Sequence, residues 1–171
     1  VAVVDAATGP HAADTVVSPE TMTDNSDAAL EAYVTGGEPL VRAGLSQLVE
    51  QLAALPHVED LALTTNGILL AEQAAGLRSA GLRRLNISLD TLDRENFIKI
   101  SQADKLGEVL EGIEAALEHG LRPIKLNMVL MKGVNDHEIP AMVRFAIERS
   151  LDLRFIEWMP TAGEIHSVRE N

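Results

Sequence analysis

Five consecutive residues, Thr35-Gly36-Gly37-Glu38-Pro39, carry the clearest chemical signal in this sequence of 171 residues. Glycine has no Cβ atom, so the backbone at Gly36 and Gly37 could lie directly against a ligand. Glu38 offers an acceptor to an ammonium group, while Pro39 ends the preceding strand and fixes the turn. The segment therefore predicts a site for the amino-acid end of a ligand. An ordinary strand-to-helix turn is the alternative that stays open.

Two later segments place polar residues at every second position of a predicted strand. In one segment Asn86, Ser88 and Asp90 alternate with leucine and isoleucine, and in the other Lys125 and Asn127 do so. Successive side chains of a strand point to opposite faces, so each strand has an apolar face for helices and a polar face. Polar faces on inner strands indicate a cleft that holds a ligand, whereas edge strands with one face in water would give the same pattern.

Thr64 and Lys125 are the residues best suited to bind an anionic ligand. Thr64 opens the segment 64–67 (Thr-Thr-Asn-Gly) at the end of a predicted strand, where ligand groups gather in parallel sheets. The same four residues also suit a plain turn. Lys125 lies within an apolar strand, so its ammonium either meets an anion or extends to solvent. Glu157 is a further charge within a strand and could pair with Lys125 or Arg154.

Composition limits the classes of function. The sequence has 14 Lys and Arg against 26 Asp and Glu, a net charge of −12, which argues against nucleic acid or an anionic membrane as a partner. A few placed cations can still bind a small anion. There is no cysteine, so the sequence offers neither a disulfide nor a thiolate for zinc or iron–sulfur. No histidine has ligand spacing, and we predict no metal ligand and no catalytic residue.

The chain changes in character near residue 28. Residues 1–28 are rich in Ala, Asp, Thr, Ser and Val and contain no Lys or Arg, which predicts an acidic leader that is poorly ordered or loosely docked. Residues 29–171 have a regular pattern. No apolar run approaches the roughly 20 residues of a membrane span, and no signal peptide is recognised. We therefore expect a cytoplasmic protein.

Extended and helical segments alternate from residue 29 onward. Strands are predicted near 32–35, 59–65, 83–89, 123–131 and 153–159. Helices are predicted near 41–55, 69–80, 92–100, 105–119 and 136–149, the last one capped by Asn135 or Asp136. This alternation implies βαβ units. We predict an α/β fold with an open, parallel sheet of four or five strands, curved like a sector of a barrel, and helices on its outer face.

A sector of a barrel leaves one edge of its sheet without a neighbouring strand. Unpaired backbone groups along such an edge favour pairing with another chain. We therefore expect association, with a homodimer as one form, or limited solubility, unless the leader covers the edge.

Six segments follow the order and spacing of one enzyme family. They are 35–39, 64–67, 86–90 (Asn-Ile-Ser-Leu-Asp), 125–127, 131–136 (Met-Lys-Gly-Val-Asn-Asp) and 154–160. As a set they closely resemble the GTP 3′,8-cyclases, the radical S-adenosylmethionine enzymes known as protein A of molybdenum-cofactor biosynthesis. The resemblance covers residues 33–161 of 171. The Gly-Gly-Glu-Pro segment alone is shared by many radical enzymes of this superfamily.

The resemblance implies a partial (β/α) TIM-type barrel that holds S-adenosylmethionine beside a 4Fe-4S cluster and acts as a lyase. In this family, residues at the positions of Gly37 and Ser88 contact S-adenosylmethionine, and the residue at Met159 borders its adenosyl part. The predicted cofactor-binding residues are Gly36, Gly37, Glu38, Ser88, Asn127 and Met159.

The same resemblance makes GTP the expected small-molecule partner, contacted by Thr64 and Lys125. The family usually has an arginine that helps to bind GTP where this sequence has Tyr33. It also holds one cluster by a Cys-x-x-x-Cys-x-x-Cys loop after its first strand and a second cluster by C-terminal cysteines. This sequence has no cysteine, so residues 29–171 are predicted to form a partial barrel without the first strand or the cluster loop.

Three functions stay open at this point. The chain is an incomplete cyclase that is inactive on its own, a cluster-free module that binds nucleotide or S-adenosylmethionine, or a fragment that binds neither. An aldolase-type barrel is disfavoured, because no Schiff-base lysine with a matched acid stands out.

Overall fold

The computed structural model describes residues 16–20, 30–35, 37–56 and 58–158, in which strands alternate with helices. The strands are β1 (Val16–Glu20), β2 (Leu30–Thr35), β3 (Val58–Thr65), β4 (Arg84–Ser88), β5 (Ile124–Leu130) and β6 (Asp152–Glu157). The helices are α1 (Leu45–Ala53), α2 (Leu70–Ser79), α3 (Arg94–Ser101), α4 (Leu106–Glu118) and α5 (Ile139–Arg149), with 3-10 turns at Pro39–Val41 and Asp136–Glu138. No helix within these ranges is both long and apolar enough to cross a membrane.

The six strands form one sheet in chain order. Strands β2 to β6 are parallel, and β1 is antiparallel to β2. At least one helix lies between each pair of consecutive parallel strands, because such strands cannot be joined by a tight hairpin. The predicted α/β fold with a parallel sheet and flanking helices is confirmed, and its parallel part has five strands.

Strand β1 lies within the segment predicted as the leader. Val16–Glu20 pair with β2 from Val16 opposite Thr35 to Glu20 opposite Glu31. This pairing covers the outer edge of β2, which would otherwise expose unpaired backbone groups. The remaining residues of the leader lie outside the described residues. At the opposite end of the sheet, no described strand pairs with the outer edge of β6.

One face of the sheet packs against the helices through an aliphatic core. Alternate residues of the inner strands are fully buried there, including Leu63, Ile87 and Leu126. The helices contribute apolar residues at helical spacing, as expected for amphipathic helices that cover a sheet. Their buried residues include Leu45, Val49, Leu52, Leu70, Ala74, Leu77, Val109, Ile113, Ala116, Met142 and Ala146.

Helix α1 begins at Leu45, later than the predicted residue 41. The segment Pro39–Val41 forms a separate 3-10 turn, and Gly44 adopts a φ of 72° immediately before α1. This left-handed conformation interrupts the helical path at little cost only because the residue is glycine. The chain therefore turns twice between α1 and the segment 35–39, which we call the glycine segment.

Helix α4 makes its closest approach to the rest of the fold at Gly112. A Cβ atom added there would lie 2.5 Å from the carbonyl oxygen of Gly67 and 3.0 Å from the Cβ atom of Leu70. Backbone at Gly67 cannot move freely, since Gly67 has a φ of 80° and lies between Val109 and Ile87. The small residue at position 112 thus allows α4 to pack against the loop that follows β3.

We expect Gly112→Ala to lower the free energy of unfolding by about 1–3 kcal/mol, because the added methyl group overpacks against backbone. Gly107→Ala is the matched control on the same helix, since a Cβ atom at Gly107 meets nothing within 4 Å. The control should be neutral or stabilising by up to about 1 kcal/mol, as alanine favours helix over glycine. Urea unfolding of both variants measures the difference. Equal stabilities would contradict the close packing of α4.

Candidate functional site

The face of the sheet opposite the helices carries a row of residues that crosses four strands. Thr64 of β3 is level with Asn86 of β4, Asn86 is level with Lys125 of β5, and Lys125 is level with Asp152 of β6. We call these four residues the polar row. Neighbouring strands lie about 4.8 Å apart, so Thr64 and Lys125 are roughly 10 Å apart along it. The structure thus places both predicted GTP-binding residues on one face.

A second row lies closer to the carboxyl ends of the strands. Ser88 is level with Asn127, and Asn127 is level with Arg154. Ser88 is exposed and Asn127 is half-buried. The side chains of Ser88, Asn127 and Lys125 form no hydrogen bond or ion pair with the residues that the structure describes. Because β4 and β5 are inner strands, their polar residues are not explained by a sheet edge, and the cleft interpretation is favoured.

Asn86 and Thr64 are joined directly. The Nδ2 atom of Asn86 donates to Oγ1 of Thr64 at 3.2 Å. Asn86 is only 9% exposed, whereas Thr64 is half-buried and accessible from the polar face. The hydroxyl of Thr64 is therefore fixed in place by a hydrogen bond from a buried amide.

The glycine segment follows β2 and lies beside the end of β3. Gly37 is exposed and has a φ of 53°, a left-handed conformation that favours glycine. Its backbone is therefore accessible without a side chain in the way, as the sequence predicts for a residue that contacts a ligand. Gly36 and Met159, two further predicted cofactor-binding residues, lie outside the described residues.

Glu38 fastens the glycine segment to the loop after β3. Its Oε1 atom accepts from the backbone N–H of Leu40 at 3.0 Å and from the hydroxyl of Thr65 at 2.7 Å. Its Oε2 atom accepts from the backbone N–H of Asn66 at 2.7 Å. Hydrogen bonds to a carboxylate are among the strong ones in proteins, so Glu38 fixes the relative position of the two loops. Its predicted contact with an ammonium group stays a prediction.

Two residues of the segment 64–67 build a turn, and a third lies on the polar face of the sheet. Oγ1 of Thr65 accepts from the backbone N–H of Gly67 at 3.0 Å, and Oδ1 of Asn66 accepts from that of Ile68 at 3.0 Å. Thr65 is buried, and both side chains are used to build the turn. Of the four residues 64–67, only Thr64 belongs to the polar row. The plain-turn interpretation therefore describes Thr65 and Asn66, and the ligand interpretation is left for Thr64.

Asp90 and Asn135 organise the carboxyl ends of β4 and β5. The carboxylate of Asp90 accepts from the backbone N–H of Val129 at 2.7 Å. Burial raises the pKa of Asp90, and the hydrogen bond from Val129 opposes that rise in part. Asn135 is fully buried, and its Nδ2 atom donates to the carbonyl oxygens of Asp90 and Val129, both at 2.8 Å. Asn135 holds the predicted N-cap position, before the 3-10 turn Asp136–Glu138, but its side chain makes no capping hydrogen bond and joins the ends of the two strands instead.

Glu138 is a buried carboxylate that holds the loop between β4 and α3. It accepts from the hydroxyl of Thr91 at 2.7 Å, from Nδ2 of Asn96 at 2.9 Å, and from the backbone N–H groups of Leu92 and Asp93 at 2.9 and 3.3 Å. Burial is the largest single influence on the pKa of Glu138 and raises it, because it disfavours the charged form. The hydrogen bonds together outweigh it and hold the pKa of Glu138 below its usual value.

We expect Glu138→Gln to destabilise the fold by roughly 1.5–3 kcal/mol near pH 7, the range for hydrogen bonds to a charged group. A lowered folded-state pKa means that the stabilisation is fully present above the usual carboxyl pKa and disappears as the pH falls through the folded value. The stability difference between the two forms should therefore shrink in acid. Thermal unfolding from pH 7 to pH 3 measures it, with exposed Glu111→Gln as control. A constant difference across this range would contradict the assignment.

The described residues do not form a metal site. They contain no group of three or more His, Cys, Asp or Glu that could hold a metal ion. Thiolates hold iron–sulfur clusters, and the sequence has no cysteine, so the residues present do not fit a 4Fe-4S cluster. Glu157 is exposed and forms no ion pair with Lys125 or Arg154, and its predicted role as their partner is wrong.

The fold agrees with the comparison to known families. A family model described as the radical SAM superfamily matches residues 21–146. The chain therefore belongs to the radical SAM superfamily, and its sheet with outer helices is part of the TIM-type barrel that the resemblance implies.

Within this superfamily the chain is similar to proteins named GTP 3′,8-cyclase. It is 52% identical over 127 residues to the one from Rhodopirellula baltica, covering 74% of this chain and 35% of that protein. It is 53% identical over 137 residues to the one from Ectopseudomonas mendocina, with coverage of 80% and 41%. A GTP 3′,8-cyclase 2 of Pseudomonas aeruginosa is 52% identical over 136 residues, again with 80% and 41%. The resemblance is confirmed, and the chain spans 35–41% of the length of these relatives.

Proposed function

We propose that this chain is the substrate- and cofactor-binding part of an enzyme of the GTP 3′,8-cyclase type, a lyase of molybdenum-cofactor biosynthesis that converts GTP to a cyclised pterin precursor. The observation that carries the proposal is the polar row, which presents a hydroxyl and an unpaired ammonium on an inner sheet face. Identity of 52–53% to proteins named GTP 3′,8-cyclase supports the same function.

GTP would be bound by Thr64 and Lys125. Lys125 is half-buried, so its ammonium is less screened than a fully exposed one would be. It supplies a local positive charge to a protein whose net charge is −12. A phosphate group meets both needs of this site, because it carries negative charge and offers acceptor oxygens to Lys125 and to the hydroxyl of Thr64.

S-adenosylmethionine would be bound at the carboxyl ends of the strands. The exposed backbone of Gly37 and the unpaired side chains of Ser88 and Asn127 fit a ligand that carries amino-acid and ribose groups. Gly36, Glu38 and Met159 complete the proposed cofactor site.

The 4Fe-4S clusters that the family uses do not fit the residues of this chain, since it has no cysteine. Residues of this chain therefore supply no step that forms a radical. Their contribution is to bind and orient the substrate and S-adenosylmethionine.

The location of the protein and its partners are proposed from its composition and family. We propose a cytoplasmic protein without nucleic-acid or membrane partners, because its net charge of −12 repels polyanionic surfaces. A homodimer could form through the outer edge of β6, with which no described strand pairs.

A second candidate function is a cluster-free module that binds nucleotide or S-adenosylmethionine without converting either. The absence of every cysteine favours this candidate. It shares the binding site of the first proposal and differs in its chemistry. A fragment that binds neither ligand is the third alternative.

Isothermal titration of the folded chain with GTP, guanosine and S-adenosylmethionine tests the proposal. We expect GTP to bind more tightly than guanosine, because only GTP offers phosphate to Lys125. We also expect S-adenosylmethionine to bind. A folded chain that binds none of the three would refute the proposal in favour of the inert fragment, and equal binding of GTP and guanosine would refute the phosphate contact.

A further inference from the structure

We infer that Asn86 is a positioning residue of the substrate site, whose amide fixes the Thr64 hydroxyl as a hydrogen-bond donor toward the ligand. The inference rests on the proposed binding of GTP by Thr64 and Lys125. It adds a residue to that site and names the ligand group that Thr64 meets, which is an acceptor oxygen such as that of a phosphate or a ribose.

The burial of Asn86 is the first observation. It is 9% exposed, whereas its neighbours Thr64 and Lys125 in the polar row are half-buried. A buried amide is costly unless its groups are hydrogen-bonded. The bond to Thr64 is the only one that the Asn86 side chain makes within the described residues. An apolar residue would fill this strand position with fewer unpaired groups, so the amide is better explained by the site than by the fold.

The direction of the bond is the second observation. A hydroxyl has one hydrogen and two acceptor lone pairs. Because Nδ2 of Asn86 donates to Oγ1 of Thr64, one lone pair of Thr64 is occupied and its hydrogen is left to donate. No acceptor for that hydrogen lies among the described residues. The Thr64 hydroxyl therefore donates outward to the ligand, on the same face as the ammonium of Lys125.

The neutrality of Asn86 is the third observation. Asn86 lies between Thr64 and Lys125 in the polar row. A carboxylate there would accept the Thr64 hydrogen and attract the Lys125 ammonium, which would remove both donors from the ligand. An amide leaves both donors available to an oxygen-rich ligand. Between Thr64 and Lys125 the row therefore favours a ligand with acceptor oxygens over an amine, and the carboxylate of the row, Asp152, lies on the other side of Lys125.

A double-mutant cycle tests the inference. Isothermal titration with GTP is performed on the unmodified chain, Asn86→Ala, Thr64→Val and the variant that combines both changes. We expect each single change to lower GTP affinity about 5- to 10-fold, the effect of one hydrogen bond. The combined variant should bind no more weakly than Thr64→Val, because Asn86 acts through Thr64. S-adenosylmethionine affinity should stay within about twofold in all four forms.

Asn86→Val replaces Asn86→Ala in the cycle if the alanine variant does not fold, because valine suits a strand and carries no donor. Unchanged GTP affinity in the Asn86 variant, or losses that multiply in the combined variant, would overturn the inference and leave the proposed function standing. A parallel loss of S-adenosylmethionine affinity would show a general structural role and would also overturn it. Failure of the folded, unmodified chain to bind GTP would overturn the proposed function and the inference together.

Discussion

The Lys125→Met variant is expected to bind GTP about 10- to 150-fold more weakly than the unmodified chain. A charge-assisted hydrogen bond to phosphate contributes roughly 1.5–3 kcal/mol, which corresponds to that range of affinity. Lys125 forms no ion pair with the described residues, so its charge is available to a ligand. Methionine keeps the length of the side chain and removes the charge. The fold should therefore be retained.

Isothermal titration with GTP measures this difference. Lys99→Met is the matched control, because Lys99 is exposed on helix α3 and the change removes the same charge away from the polar row. Guanosine, which has no phosphate, should bind the Lys125→Met variant and the unmodified chain equally. Equal GTP affinities of these two forms would show that Lys125 has a structural role and would contradict the proposed phosphate contact.

No 5′-deoxyadenosine is expected from this chain after anaerobic iron–sulfur reconstitution and addition of S-adenosylmethionine with a reductant. Thiolates hold the clusters of radical enzymes, and the sequence has no cysteine. The described residues offer no group of His, Asp and Glu that could replace them. Binding of S-adenosylmethionine without its cleavage is therefore the expected result.

Chromatography of the reaction mixture and iron determination on the desalted protein measure this outcome together. A full-length GTP 3′,8-cyclase treated in the same way provides the positive control. Stoichiometric iron with repeated turnover in this chain would contradict the account and would require cluster ligands other than cysteine.

Most of the fold can be predicted from the sequence because its signals are local. The apolar stripe of helix α4 has helical spacing, and the alternation in β4 and β5 has a period of two. The helix and the two strands predicted from these patterns begin and end within one residue of the observed ranges 106–118, 84–88 and 124–130. Strand β1 was not predictable in this way, because its five residues are stabilised by pairing with β2 and not by a pattern of their own.

The site is only partly predictable, because several of its contacts join distant parts of the chain. Thr64, Ser88 and Lys125 could be chosen from their residue types and positions in strands. The hydrogen bonds that Thr65 donates to Glu38 and Thr91 donates to Glu138 span 27 and 47 residues, and no local sequence pattern predicts them. Glycine is a poor helix former, and its presence at position 112 is explained only by the backbone of Gly67, which lies too close for a Cβ atom.

The amide chemical shifts of the ¹⁵N-labelled chain, measured by NMR during titration with GTP, test the central claim most directly. The claim is that the polar face of the parallel sheet is a nucleotide site. The account predicts that the largest shifts occur at residues 64–67, 86–90 and 125–128, with small changes on helices α1 and α5. Shifts confined to the outer helices, or no shifts at all in a folded chain, would contradict it.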